Sequence, residues 1–592
     1  MINDRIKLAI TFVLLITSFE MLSTTTLASE QNESRISEYK PQNLRNDLDE
    51  EKVDNYVLYI NLDGFSYRYY EIANDTTYKG TKNINSLLKD GVLFKNTITG
   101  IPSITASMNQ SIVSGAWSID TGNCYRYYDL EKDQVIQYDR DNVLENIAEA
   151  AYKNNIKLAA VNAWYFENRG AIAGDKDRLY IQASDSRSSK ERFDILEKII
   201  RGEKVWSGSN YIEYKAPPQF MSIYVDDLDT IGHNFHNTYS DTGRAKNINE
   251  LRNLLVERLI KLDEEIGKIV EALKDRKIYD RTTIVITSDH GMVAYGSDEV
   301  DNNLHPATYS SMPDLIDTIS NVGQKFIGKN YKVEMVNTGE AKASADTDII
   351  LTTVGLQVQV KFREKISRKV LEEIVNSVKY KAYYGTHMYQ EDLIKRGTPA
   401  KFADLLISPK QPYHFKHNFQ SAYNVMGQHD SLDEDAQRVF TMISGANVKH
   451  DIIYDEQIYN ISMTPLMARL LGFEGPNNAT ARVIDEVLVD KYKGPILEII
   501  NFNGNEKVVG QDTVEIKLKT EKNALVKIKD KVIGNADING TFNTFTKLSL
   551  GLNRLIVQVE LGNKQTRKEL FVIYVESNEN INSHQDNNYH HL

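Results

Sequence analysis

Apolar residues along the chain fall into short β-branched runs, and several of these runs end at an acidic residue. "YVLYINLDG" closes on Asp63-Gly64, "PPQFMSIYV" leads into "DDLD", and "TTIVI" leads into "TSDHGM" at 287–292. Continuous apolar runs of this length suit strands buried on both faces. "IKLAAVN" reads as another such strand. Between the strands the period changes. "DNVLENIAEAAYKNN" carries Val143, Leu144, Ile147, Ala148 and Ala151 at helical spacing. A long helix is expected over about 245–275, with Leu251, Leu255, Leu259, Leu262, Ile266 and Leu273 on one face. Strands alternating with helices predict an α/β fold with a mostly parallel central sheet flanked by helices. Such sheets carry their sites beyond the carboxyl ends of the strands, so Asp63, Asp229 and Asp289 should gather along one edge.

The rhythm breaks over about 295–425, where polar loops, a helix near 366–379 and short strands read as an inserted subdomain that could carry specificity. The core resumes near Gly427 and ends near 490, after a helix expected to start with Thr464 as N-cap and Pro465 as N1. Beyond Pro495 the pattern turns to strict alternation, as in "VEIKLKT", with turn signals such as Asn539-Gly540. Residues 495–576 therefore read as an Ig-like β-sandwich. The polar stretch 577–592 reads as a disordered tail, too flexible for its histidines to form a metal site.

At the other end, Arg5 and Lys7 precede "LAITFVLLITSF", and Thr26 and Ala28 supply the small residues of a cleavage site before Ser29. That stretch is shorter than the roughly 20 residues a membrane span needs. The expected layout is a signal peptide over 1–28, a polar linker over 29–53 and a catalytic domain over 54–490. The protein is then secreted, with no transmembrane segment in its mature form and with cell-surface association as a further expectation. A retained anchor is the competing reading. The single cysteine, Cys124, excludes an intrachain disulfide and reads as a packed small hydrophobe. With 592 residues and a net charge of −12, the chain is a poor nucleic-acid scaffold. A small phosphorylated substrate is compatible, since a local metal site can neutralise its charge.

The candidate chemistry lies just past the apolar runs. Asp63, Asp229 and His233 in "DTIGH", Asp289 and His290 in "SDHG", and His429 in "GQHD" supply three carboxylates and three imidazoles. That set suits two divalent cations, with Zn²⁺ first. Each pair alone is weak, and "SDHG" alone could be a solvent-exposed turn. Asp226 and Asp227 compete with Asp229, and His236 and His305 read as surface residues. A nucleophile is available in "TGIPSITASMNQSIVSG", where Thr105, Ser103 and Ser107 are the candidates and Thr105 could equally cap a helix.

Taken in order, "DG", "PSxTASxNQSIVSG", "DxxGH", "SDHGM" and "GxH" resemble the motifs of the alkaline phosphatase superfamily. The likeness is to its type I phosphodiesterase/nucleotide pyrophosphatase branch and covers about 55–490. "TGNCYRYYD" and "FADLLISPKQPYHF" resemble further segments of that branch. The resemblance implies that Asp63, Thr105, Asp289 and His290 surround one metal ion and that Asp229, His233 and His429 hold a second. It implies Thr105 as the nucleophile, forming a phospho-threonine, and Asn109 as a donor to a phosphate oxygen. The chain departs from the pattern twice. Asp430 stands where a Gly commonly follows the metal-binding His, and "IDTGN" replaces the usual "HG" before "GN".

The resulting expectation is a secreted, metal-dependent phosphodiesterase or nucleotide pyrophosphatase acting on phosphate esters. Alternatives are a phosphomonoesterase or phosphonate hydrolase of the same superfamily, or a surface-binding protein with a vestigial core. The C-terminal module is expected to bind a cell-surface polymer or to brace the core. A sulfatase is disfavoured because no C/S-x-P-x-R arrangement is present.

Overall fold

The computed structural model describes residues 55–75, 77–185, 188–234, 245–296, 310–415 and 425–576. The expected signal peptide over 1–28, linker over 29–53 and tail over 577–592, together with His236 and His305, lie outside the described residues. No helix among the described residues is long and apolar enough to cross a membrane.

The expected runs form a ten-stranded sheet. Its centre is Tyr56–Leu62, paired in parallel with Phe220–Val225 on one side and Thr282–Thr287 on the other. Leu158–Val161, Arg178–Ile181 and Ile172–Ala173 extend the sheet in parallel beyond Phe220–Val225. On the other side Arg438–Gly445 runs antiparallel to both Thr282–Thr287 and Gly91–Ile98, so the sheet is mostly but not wholly parallel. Every residue of Tyr56–Leu62 is buried, as its apolar run, interrupted only by Asn61, requires.

Successive side chains of that strand feed two different cores. Leu58, Ile60 and Leu62 pack on the side of the long helix Ile248–Asp275. Val57 and Tyr59 face the side holding Thr105–Ser114 and Met463–Leu471. The long helix buries all six of the apolar residues expected on its inner face. Each large aliphatic side chain fully buried in this way contributes about 1.5–3 kcal/mol.

Two helix starts differ from expectation. The Ile147–Lys153 helix begins after Asn146, because Asn146 and Glu149 form a reciprocal capping box. Val143 therefore lies outside the helix and is 79% exposed. The Met463–Leu471 helix follows a 3-10 turn over Asn460–Ser462, with Ser462 at the N-cap position. Pro465 then falls third in the helix, still within the first turn, whose N–H groups have no intrahelical acceptor.

Over the interrupted stretch, Val333–Met335, Ile349–Val354, Gln357–Phe362, Leu405–Pro409 and Tyr384–Tyr389 form a separate five-stranded sheet. The helices Met312–Ile327 and Arg368–Val378 pack against it. At the C-terminus a three-stranded and a five-stranded sheet enclose a shared core that includes Val514, Ile516, Leu555, Val557 and Leu570. This module is joined to the catalytic body by polar contacts, including Arg469 Nη2 to the Gln565 carbonyl at 2.6 Å.

Candidate metal centre

The register of the parallel strands sets the site. Leu62 pairs with Val225 and Asn61 with Thr287, so the chain leaves three adjacent strands at nearly the same level. Asp63, Asp229 and Asp289 follow these ends. The Asp63 N–H donates to Val225 O at 2.9 Å and the Asp229 N–H to Asp63 O at 3.2 Å, which links the loops directly.

Asp229 lies in the short helix Asp227–Gly232, and His233 is its C-cap. Four residues apart, the two side chains share a face, with His233 Nε2 3.3 Å from Asp229 Oδ1. The competing carboxylates are engaged elsewhere. Asp226 pairs with Arg192 at 2.9 Å, and Asp227 Oδ2 accepts from Ser189 Oγ at 2.8 Å and Arg258 Nη1 at 3.3 Å.

Asp289 and His290 follow Thr282–Thr287 and are both fully buried. Gly291, which follows them, does not adopt a left-handed backbone. Gly291 is needed for space, because a Cβ there would overlap the carbonyl oxygen of Asp435. Its N–H and that of Met292 donate to the Ala436 and Asp435 carbonyls at 2.8 and 3.0 Å.

The three imidazoles share one orientation. Nδ1 of His233 lies 3.0 Å from Gly427 O, Nδ1 of His290 lies 3.0 Å from Gly291 O, and Nδ1 of His429 lies 2.8 Å from Ser103 O. A carbonyl can only accept, so each Nδ1 carries a hydrogen and each Nε2 is the ring nitrogen turned toward the carboxylates. Metal-ligating histidines are held in this manner. His290 Nε2 is 3.2 Å from Asp63 Oδ1 and 3.7 Å from Asp289 Oδ2, while His429 Nε2 is 3.6 Å from Asp229 Oδ1. The His290 and His429 rings stack with centroids 3.7 Å apart.

Two groups of ligand atoms therefore lie within 4.8 Å of one another, Asp63 with Asp289 and His290, and Asp229 with His290 and His429. His290 belongs to both, and His233 stands beside the second through Asp229.

Asp63 Oδ1 and Asp229 Oδ1 are buried and take no hydrogen-bond donor among the described residues. Burial, then the neighbouring Asp289 and Asp229, push the Asp63 carboxyl well above its usual range. Burial also acts to raise Asp229, but His233, His429 and His290 outweigh it and hold Asp229 below the usual range. Burial and then His290 push His429 well below the ordinary imidazole range. A buried cluster of crowded carboxylates with three imidazole Nε2 atoms turned inward fits divalent cations of the Zn²⁺ type.

Thr105 is the first residue of the Thr105–Ser114 helix, Ile104 being its N-cap, so Thr105 does not serve as the cap. Its Oγ1 lies 3.0 Å from His290 Nε2. Ser103 and Ser107 are fully buried and turned elsewhere, Ser107 Oγ donating to Asn123 O at 2.5 Å. Asn109 lies one turn along the helix. Its amide donates to Asp289 Oδ2 at 2.8 Å and to Thr105 O at 3.0 Å, while its carbonyl oxygen accepts from Asn61 Nδ2 at 2.5 Å. Both amide hydrogens are thus directed into the protein, which differs from the phosphate-donor role implied for Asn109 by resemblance.

Four supporting residues escaped the sequence reading. Asn61 orients Asn109, the Tyr224 hydroxyl donates to Asp63 Oδ2, the Thr99 hydroxyl donates to the Asp289 carbonyl, and Gln357 meets Asp430. Asn61 and Tyr224 had a legible signal, since each is a polar group inside an otherwise apolar strand run. Cys124 is fully buried beside Ile101, Tyr127 and Phe402, and burial pushes its thiol up to about 12, as suits a packed hydrophobe. Burial raises the Asp430 carboxyl to about 7.

The family model for type I phosphodiesterase / nucleotide pyrophosphatase matches residues 57–432. An uncharacterized pyrophosphatase/phosphodiesterase of Schizosaccharomyces pombe is 28% identical over 254 residues, 40% of this chain and 44% of that protein. The bis(5'-adenosyl)-triphosphatase ENPP4 of Bos taurus is 23% identical over 266 residues, 43% of this chain and 52% of that protein. The alignments thus span about half the length of these curated relatives. Murine ectonucleotide pyrophosphatase / phosphodiesterase 5 aligns in structure with a TM-score of 0.46 at 14% identity, covering 70% of this chain and 95% of its own. By the match over most of its length, the chain belongs to the type I phosphodiesterase/nucleotide pyrophosphatase family, within the alkaline phosphatase superfamily.

Proposed function

We propose that the protein is a secreted, metal-dependent phosphodiesterase or nucleotide pyrophosphatase that works through a phospho-threonine at Thr105. The observation that carries this reading is the shared orientation of three imidazoles, Nδ1 on a backbone carbonyl and Nε2 inward, around three carboxylates and a hydroxyl.

In this reading Asp63, Thr105, Asp289 and His290 hold one divalent cation, and Asp229, His233 and His429 hold another. Zn²⁺ bound there supplies Lewis-acid charge that eases ionisation of the Thr105 hydroxyl and offsets negative charge on the phosphoryl oxygens. Thr105 Oγ1 attacks phosphorus in line and expels the alcohol or phosphate leaving group. Water then cleaves the Thr105 phosphoester. The first N–H groups of the Thr105–Ser114 helix lack intrahelical acceptors, and a helix start of this kind favours an anion bound beside Thr105. Asn109 acts by holding Asp289 and the Thr105 carbonyl in place. The substrate is a phosphate diester, a nucleotide among the candidates. Export rests on the charged, apolar and small-residue pattern at the N-terminus. The C-terminal module, read as Ig-like, braces the catalytic body.

The test compares hydrolysis of bis-p-nitrophenyl phosphate and p-nitrophenyl phosphate by the mature chain, with and without chelator. Faster diester cleavage that chelation abolishes is expected. Equal rates with and without chelator overturn the reading, and a strong monoester preference replaces the diesterase with a phosphomonoesterase on the same site.

A further inference from the structure

Asp430 is the fully buried residue next to His429, and it adopts a left-handed backbone with φ +56°. L side chains rarely take that conformation, which glycine adopts freely. A glycine would be the easier residue here, although Asp is among the L residues that tolerate this conformation, and the Asp430 carboxyl is engaged by its neighbours.

Asp430 Oδ1 accepts from the Ser103 N–H at 2.8 Å, from the Ser103 hydroxyl at 3.4 Å and from Gln357 Nε2 at 2.7 Å. Ser103 lies two residues before Thr105, and its carbonyl accepts from His429 Nδ1 at 2.8 Å. Residues 429 and 430 therefore grip both polar groups of the Ser103 backbone, one through each side chain. Gln357 brings in the separate five-stranded sheet, as the first residue of the Gln357–Phe362 strand. The Leu356 N–H also donates to Asp430 O at 3.1 Å. At the turn of the same hairpin, a Cβ on Gly355 would overlap His429 O.

We propose that Asp430 is a positioning residue that locks the nucleophile loop to His429 and to the tip of the inserted hairpin, so that Thr105 and the His429 ring keep a fixed relation. The proposal rests on the assignment of Thr105 as nucleophile given above. It makes the inserted sheet a part of the catalytic frame.

The test uses the full mature chain with metal bound. Asp430→Gly removes the acceptor and relieves the backbone, whereas Asp430→Asn keeps an oxygen at Oδ1. Expected for D430G is a kcat about 10–100-fold lower with KM within about 2-fold, since small misplacements of a reacting group carry losses of that size. D430N should remain within about 3-fold of the parent, because the bond from the Ser103 N–H survives. Hydrogen exchange of the peptide covering 99–105 should quicken in D430G and stay slow in D430N. Should D430G fail to fold, Gln357→Ala is expected to quicken the same peptide and lower kcat by a smaller factor. Parent-like kcat and exchange in D430G overturn the proposal. So do equal losses in D430G and D430N that follow the melting temperature alone. If the parent protein hydrolyses no phosphodiester, the assignment of function falls and the exchange comparison alone decides the role of Asp430.

Discussion

Thr105 Oγ1 and His290 Nε2 stand 3.0 Å apart, although 185 residues separate them in the chain. The hydroxyl starts a helix on one face of the sheet, and the imidazole follows a strand of the sheet itself. If Thr105 is the nucleophile, Thr105→Ala should lower diesterase kcat by about 10³-fold or more, as loss of other enzymatic nucleophiles does. Metal should stay bound through the remaining Asp63, Asp289 and His290, and the melting temperature should stay near that of the parent. Thr105→Ser should retain measurable turnover. An active T105A protein would show that another group attacks phosphorus.

Asp229 has two imidazole nitrogens within 3.6 Å and keeps 17% of its side chain exposed, so its loss should be felt first as lost metal. Asp229→Asn is expected to lower bound zinc by about one ion per chain, read by elemental analysis, and to reduce kcat strongly. Chelation of the parent should lower its melting temperature, and added Zn²⁺ should restore it, because a ligand that binds only the folded state stabilises it. A melting temperature indifferent to chelator and to zinc would remove the metal from the folded site.

Asn61 and Asn109 act as one device. Asn61 donates to the Asn109 oxygen, which turns the Asn109 amide toward Asp289 and the Thr105 carbonyl. Asn61→Ala and Asn109→Ala should each lower kcat, by about 10-fold in order of magnitude, and the double variant should lose little more than N109A alone. Losses that multiply in the double variant would mean that Asn109 works independently, as a direct donor to substrate does.

Much of the frame was legible because burial on both faces forces largely apolar, β-branched runs, as in Tyr56–Leu62 and Thr282–Thr287, whose ends place Asp63 and Asp289. The helix start at Asn146 was misplaced because Val143 and Leu144 fit the helical period, while the capping box that decides the boundary lies three residues further on. The space required at Gly291 was hidden for another reason. The carbonyl it meets belongs to Asp435, in a segment that the local pattern does not connect to "SDHG". The second contacts, Asn61 to Asn109 and Asp430 to Ser103, span 48 and 327 residues and leave no period to read.

Asp435 gives a pH-dependent stability with a definite sign. Burial, and then Asp433 beside it, push its carboxyl up to about 6 against the opposing charges of Arg252 and Arg68. The folded chain thus holds this proton to higher pH than the unfolded chain, whose value is about 3.9. The stability it contributes is complete below about pH 4 and is lost as pH rises toward 6. Asp435→Asn should leave melting at pH 4 nearly unchanged and raise stability at pH 7.5 by about 1–3 kcal/mol. A variant less stable than the parent at pH 7.5 would show that the ionised carboxylate is held by a favourable partner.

Arg554 in the C-terminal module reaches across to Asp120, with Nη1 and Nη2 donating at 2.6 and 2.9 Å, and its Nε donates to Glu569. Burial acts to lower the Arg554 pKa, but Glu569 and Asp120 outweigh it and raise it. Asp120 belongs to "IDTGN", the segment that departs from the family pattern, and Arg554 accounts for a carboxylate there. Arg554→Met would leave two partly buried carboxylates facing each other without a cation. Breaking such a group by removing one partner is strongly destabilising, here by about 2–4 kcal/mol given the residual exposure. The first thermal transition should fall by several degrees, and protease cleavage near 494–496 should quicken. Adding Asp120→Asn and Glu569→Gln to R554M should recover most of the loss, because neutral partners no longer repel. At temperatures well below melting, kcat should stay near the parent's, as Arg554 touches no residue of the metal centre. An R554M protein with unaltered melting would show that the module is held by its other contacts, such as Arg469 to Gln565, and that the ion pair only sets its register.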